Sequence, residues 1–232
     1  MRPRTGPASL DLVALKKRFI RRTILSWASR NLRSFPWRDE RTSYAILVAE
    51  LLLRRTTATA VLQVYSEFLR KFATPAALAS ARPADLEKIL RRVGYHRVRT
   101  VQFQETARAI VERFGGVLPR DYLTLQELPH IGPYTAGAIV SLAVGRPAVM
   151  VDSNVMRVLS RVFADSDIGQ RAIRSESLTR KIAEQLLPPD RHRTFNLGLI
   201  DLGATICLPR KPRCPHCPLL VICDHGRNVV PI

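Results

Sequence analysis

All four cysteines of the 232-residue chain fall within its last 26 residues, as Cys207, Cys214, Cys217 and Cys223 in the spacing C-x6-C-x2-C-x5-C. The basic stretch Met1–Ser34 reads as an apolar-periodic helix rather than an export signal, so free or metal-bound thiols are expected rather than two disulfides. Four thiolates suit either a structural zinc ion or a [4Fe–4S] cluster, since both take tetrahedral sulfur sets. Zinc ribbons divide their ligands between two knuckles separated by a long insert. Here one short loop holds three ligands and the fourth closely precedes it, which favours the cluster, most simply as a structural staple. Pro209, Pro212, Pro215 and Pro218 stiffen the loop, and Arg210, Lys211 and Arg213 offer cations that can face phosphates.

Two carboxylates stand out next. Glu50 interrupts the apolar stretch Ala45–Leu53, where an unpaired charge is costly and a carboxyl's pKa is driven upward. A buried acid of this kind is a candidate proton donor; the alternative is a surface glutamate paired with Arg54. Asp152 precedes a helical pattern beginning at Ser153, the ordinary place of an N-cap. A third feature is the turn Pro129-His130-Ile131-Gly132-Pro133 between two helical patterns. Such a hairpin can offer backbone N–H groups and a helix N-terminus to a phosphate, or serve only as an αα-hairpin.

The elements that must position these residues are helical throughout. Apolar residues recur at three- and four-residue spacing, and no run alternates as a strand does, so the chain reads as all-α. Helices are expected around Leu10–Trp27, across Ser43–Phe72, from Pro83 to Arg92 with Gly94 as a C-cap, and over Arg97–Phe114, Leu123–Leu128 and Tyr134–Val144. Asp152–Phe163, Leu178–Leu187 and Thr194–Ile206 complete the set.

The formal net charge of +18 comes mostly from arginine; the lysines are Lys16, Lys17, Lys71, Lys88, Lys181 and Lys211. A polyanionic partner follows naturally, although a basic solvated surface alone would give the same sum. No stretch approaches the ~18 uninterrupted apolar residues of a membrane span. A monomeric cytoplasmic protein with no membrane partner is expected.

Three motifs in order, L-P-H-I-G-P-Y-T-A-G-A-I at 128–139, V-D-S-N-V-M-R-V-L-S-R at 151–161 and the terminal cysteine loop, resemble the endonuclease III superfamily of DNA glycosylases, over about Ser34–Cys223. F-P-W-R at 35–38, E-L-L-L-R-R-T-T-A at 50–58 and F-N-L-G-L-I-D at 195–201 resemble the subgroup that removes thymine or uracil mispaired with guanine. The nearest rival is the adenine glycosylase branch, which typically carries paired glutamine where this chain has Arg54-Arg55.

The resemblance implies two helical lobes. One, 35–146, is a six-helix barrel-type domain with the helix-hairpin-helix at 128–139; the other, 1–34 with 147–232, carries a [4Fe–4S] cluster on Cys207, Cys214, Cys217 and Cys223. It implies double-stranded DNA with a mismatched or damaged base as partner. Asp152 would stabilise the oxocarbenium character of the sugar, and Glu50 would protonate the leaving base or place water. Bifunctional relatives form a Schiff base with a lysine where this chain has Tyr134, so hydrolysis without strand cleavage is implied, with Tyr134 lining the base pocket. Arg55 and Tyr95 stand where the family fills the gap left by a flipped base, and Asn154 would orient sugar or water. Arg54, His130, Ile131 and Gly132 join the DNA-binding set. His130 departs from the family's glycine in the hairpin, so it either loosens the phosphate grip or adds a contact of its own. Asn196 and Asp201 also match family positions. The rival from another class is a catalytically silent DNA-binding or redox-sensing iron–sulfur protein.

Overall fold

A computed structural model describes residues 7–164 and 175–230, with side chains from Lys16 onward. The described residues are helical and contain no strand. No helix among them is long and apolar enough to cross a membrane. The chain divides into two compact units, Ser34–Arg146 and Met1–Arg33 with Pro147–Ile232.

In the unit Ser34–Arg146, α2 (Pro36–Asp39) leads into α3 (Ser43–Leu52), which Thr42 caps by accepting the Ala45 N–H at 3.3 Å. Every residue from Ala45 to Leu52 is buried, as the unbroken apolar run requires. The pattern across Ser43–Phe72 suggested one helix; the structure makes three, with α4 at Ala58–Leu62 and α5 at Tyr65–Lys71. The break has a cause in the carbonyls at the end of α3. Leu51, Leu52 and Arg54 give theirs to the Arg99 side chain, Arg55 turns left-handed (φ 49°), and Thr57 caps a new helix. Periodicity carries no trace of a distant side chain capturing a helix end.

Two further short helices, α6 (Pro75–Ala79) and α7 (Pro83–Leu90), pack against the long α8 (His96–Phe114). The hairpin helices are α9 (Tyr122–Gln126), capped by Asp121, and α10 (Pro133–Ala138). The latter widens into a π-type turn over Ile139–Val144, where one regular helix was expected, and ends at Gly145 with φ 76°. Phe68 and Phe103, with ring centroids 4.8 Å apart, sit in the core of this unit.

The other unit contains α1 (Pro7–Asn31), α11 (Ser153–Val162) and the helices Glu176–Leu186, His192–Thr205 and Asp224–Val229. α1 lies so close to His192–Thr205 that a Cβ on Gly198 would stand 3.0 Å from the Ala28 Cβ and from the Ile24 Cγ2. The fully buried Asp201 accepts the backbone N–H of Arg33 at 2.8 Å and its Nε at 2.7 Å, which ties the end of α1 down. Asn196 donates to the Ala148 carbonyl at 2.8 Å and accepts from the Met150 N–H at 3.3 Å, which fixes the approach to α11.

Candidate functional site

Glu50 lies in the last turn of α3, 6% exposed, with Arg54 one helical turn on. Burial lowers the Arg54 pKa, and the charge of Glu50 opposes that shift. The Arg54 guanidinium donates to the His130 carbonyl and to the Thr135 hydroxyl at 3.4 Å, so it joins the end of α3 to the hairpin. Its part is structural as well as electrostatic.

Three turns of this unit carry a non-glycine residue in the left-handed region: Arg55 (φ 49°), Tyr95 (φ 53°) and His130 (φ 62°). Each costs about 1–2 kcal/mol, and such strain gathers where function over-determines the backbone. Arg55 is exposed and Tyr95 is 60% exposed, unusual for a large aromatic side chain. His130 keeps the backbone conformation that a glycine would supply. Its ring Nε2 lies 2.6 Å from the Glu105 carboxylate, and the Thr106 hydroxyl holds the preceding Pro129 carbonyl at 2.9 Å. The side-chain contact of His130 is therefore with α8. Ile131, between His130 and Gly132, turns its side chain inward; it is 4% exposed and its N–H donates to the Leu128 carbonyl at 3.2 Å. Gly132 is exposed, with open space where a Cβ would lie, and Tyr134 stands half-buried in the first turn of α10.

In the other unit, Asp152 is the N-cap of α11 and half-buried. Its Oδ1 accepts the Val155 N–H at 2.8 Å and its Oδ2 accepts the Asn154 amide at 2.7 Å. Asn154 in turn accepts from Arg157 at 2.7 Å, and Arg157 also donates to the carbonyls of Gly203 (2.8 Å) and Cys207 (2.7 Å). Asn154 thus orients the carboxylate itself. Arg157 and Gly203 escaped the sequence reading, although the i+3 spacing of Asn154 and Arg157 on a helix was a usable signal.

The four cysteines are free thiols lining one small pocket with Ile206, Pro212 and Leu220, and Cys214 and Cys223 are buried. Burial pushes the Cys217 thiol up to about 12, and the charges of the other three sulfurs add to the shift. Ionising such a set of neighbouring thiols would need a multiply charged cationic partner. Among the described residues no three His, Cys, Asp or Glu side chains are grouped to hold a single metal ion. Arg161 donates to the Cys207 sulfur at 3.3 Å and to the Leu208 and Pro209 carbonyls, which pins the loop to α11. Arg210, Lys211 and Arg213 are exposed beside it.

Residues 48–189 match the family described as HhH-GPD superfamily base excision DNA repair protein. A thymine/uracil-DNA glycosylase of Methanothermobacter thermautotrophicus is 36% identical, over 93% of this chain and 96% of its own. The adenine DNA glycosylase of Rattus norvegicus is 39% identical over 90% of this chain, which spans only 42% of that protein. Among solved structures, a thermostable thymine-DNA glycosylase superposes with a TM-score of 0.88 at 35% identity, covering 93% of this chain and 99% of the other.

Proposed function

The chain belongs to the HhH-GPD superfamily of base excision DNA repair proteins, and on that premise we propose that it hydrolyses the N-glycosidic bond of thymine or uracil mispaired with guanine, leaving the strand intact. The reaction class rests on Asp152, a half-buried carboxylate whose two oxygens are fixed by the Val155 N–H and the Asn154 amide. Breaking the glycosidic bond puts positive charge on the sugar, and a pre-oriented carboxylate stabilises that charge without having to reorganise. The choice of base is supported by end-to-end similarity to a thymine/uracil glycosylase.

The remaining roles follow from chemistry. Glu50 supplies a proton to the departing base or holds the attacking water. Lysine is absent between Lys88 and Lys181, and Tyr134 occupies the position of the family's amine, so water rather than an amine attacks the sugar. The target base must leave the stack. Arg55 and Tyr95, exposed on rigid left-handed turns, are suited to fill its place, while Gly132 and the His130 turn receive the backbone phosphates.

We also assign a [4Fe–4S] cluster to Cys207, Cys214, Cys217 and Cys223. All four thiols line one small pocket, and their spacing, three ligands on one short loop with the fourth just before it, suits a cluster better than the two separated knuckles of a zinc ribbon. When bound, the cluster supplies a structural staple that presents Arg210, Lys211 and Arg213 to the DNA backbone.

The test is base release from one set of end-labelled duplexes holding G:T, G:U, A:8-oxoguanine, A:G and thymine glycol, read with and without alkali. Release of thymine and uracil, with strand breakage only after alkali, is expected. Adenine release would transfer the chain to the adenine branch, and breakage without alkali to the lyases.

A further inference from the structure

Arg99, in the first turn of α8, is only 4% exposed, and among the described residues no carboxylate pairs with it. Its guanidinium donates instead to four backbone carbonyls: Nε to Gly94 at 2.8 Å, Nη1 to Leu51 at 2.8 Å and Leu52 at 3.1 Å, and Nη2 to Arg54. A buried cation is expensive, and three of these acceptors lie at the negative end of α3, where a cation is best received. Burial and the nearby Arg54 charge both lower the Arg99 pKa, so the cation is held there against an electrostatic cost.

The placement of the bonds identifies what that cost secures. The Arg54 carbonyl belongs to the peptide leading into Arg55, and the Gly94 carbonyl to the peptide leading into Tyr95. Arg55 and Tyr95 are exposed, and both are left-handed. The guanidinium is a planar fork of fixed dimensions. It therefore sets the distance and relative orientation of two turns that are 40 residues apart in sequence, and the Arg54 side chain extends the same frame to the His130 carbonyl.

We propose that Arg99 is the positioning residue for base extrusion: by clamping the peptides before Arg55 and Tyr95 it fixes the spacing at which these two side chains enter the gap left by the target base. The inference rests on reading the chain as a base-flipping glycosylase. Loss of Arg99 then penalises the opening of the duplex and spares bond cleavage in a base that is already unstacked.

The experiment compares Arg99→Met, Arg99→Lys, Tyr95→Ala and the Arg99→Met/Tyr95→Ala double variant, with folding checked by thermal midpoint. Single-turnover release of uracil is measured from a G:U duplex and from a single strand. In parallel, 2-aminopurine fluorescence beside the target base reports extrusion on binding. In Arg99→Met the duplex-to-single-strand rate ratio should fall by about tenfold or more, with little further loss in the double variant and a smaller loss in Arg99→Lys. The 2-aminopurine signal should fall in parallel. Should Arg99→Met not fold, the same changes in Arg99→Lys carry the test. Equal losses on both substrates, or multiplicative losses in the double variant, would show Arg99 to be structural only. If the wild-type protein releases no uracil, the glycosylase reading fails. The fluorescence arm still decides Arg99, since extrusion unchanged in the folded variants overturns the proposal.

Discussion

Gly203 lies against Asn154 so closely that a Cβ at position 203 would stand 2.6 Å from the Asn154 Cβ and 3.0 Å from its carbonyl oxygen. Asn154 is the residue whose amide holds Asp152, and the Arg157 guanidinium bonds both the Asn154 side chain and the Gly203 carbonyl. Three residues far from one another in type thus act as one mount for the carboxylate.

Gly203→Ala must push α11 away from the helix His192–Thr205 and turn Asp152 with it. A displacement of about 1 Å at a reacting group costs on the order of 100-fold in rate. Single-turnover excision should fall by about that factor while duplex affinity, read by anisotropy, stays near wild type. An unchanged rate would mean that the mount does not set the geometry of Asp152.

His130 carries a glycine-like backbone, so two substitutions should diverge there. His130→Gly relieves the left-handed strain and loses an exposed pair with Glu105 worth about 0–1 kcal/mol, leaving stability near neutral and duplex affinity intact. His130→Val puts a β-branched residue at positive φ and should cost about 1–3 kcal/mol, with weaker DNA binding. Chemical denaturation and anisotropy read both; equal behaviour of the two variants would contradict the backbone account.

Borohydride should trap no adduct between the wild-type protein and uracil-containing duplex, because no amine stands at position 134. Tyr134→Lys should create a trappable adduct, visible as a shifted band on a denaturing gel. A trapped wild-type adduct would mean that another amine attacks the sugar.

Protein isolated without oxygen should contain about four iron and four sulfide per chain and absorb as a cubane cluster does. Cys214→Ser should lower the iron content, and chelation should weaken duplex binding through the Arg210, Lys211 and Arg213 loop. One zinc per chain and no sulfide would contradict the assignment.

The fold class was legible because the three- and four-residue apolar spacing of buried helices survives in the sequence, and Glu50, Asp152 and the cysteines stand out by type against their surroundings. What was not legible depends on distant partners. The helix across Ser43–Phe72 breaks because Arg99 takes its carbonyls, and an arginine in an amphipathic helix reads as solvated. Gly203 sits in an otherwise regular helix and is required only by the close approach of Asn154. The short helices Pro36–Asp39 and Pro75–Ala79 carry too few residues for periodicity to register, although Pro at the first helical position marks both.

The most direct measurement is release of free thymine from a G:T duplex under single-turnover conditions by the wild-type protein and Asp152→Asn, with both shown to bind the duplex equally. The account predicts thymine release by the wild type, and a loss of several orders of magnitude in the variant at preserved affinity. Equal activity in the two proteins, or no thymine release by the wild type, would contradict it.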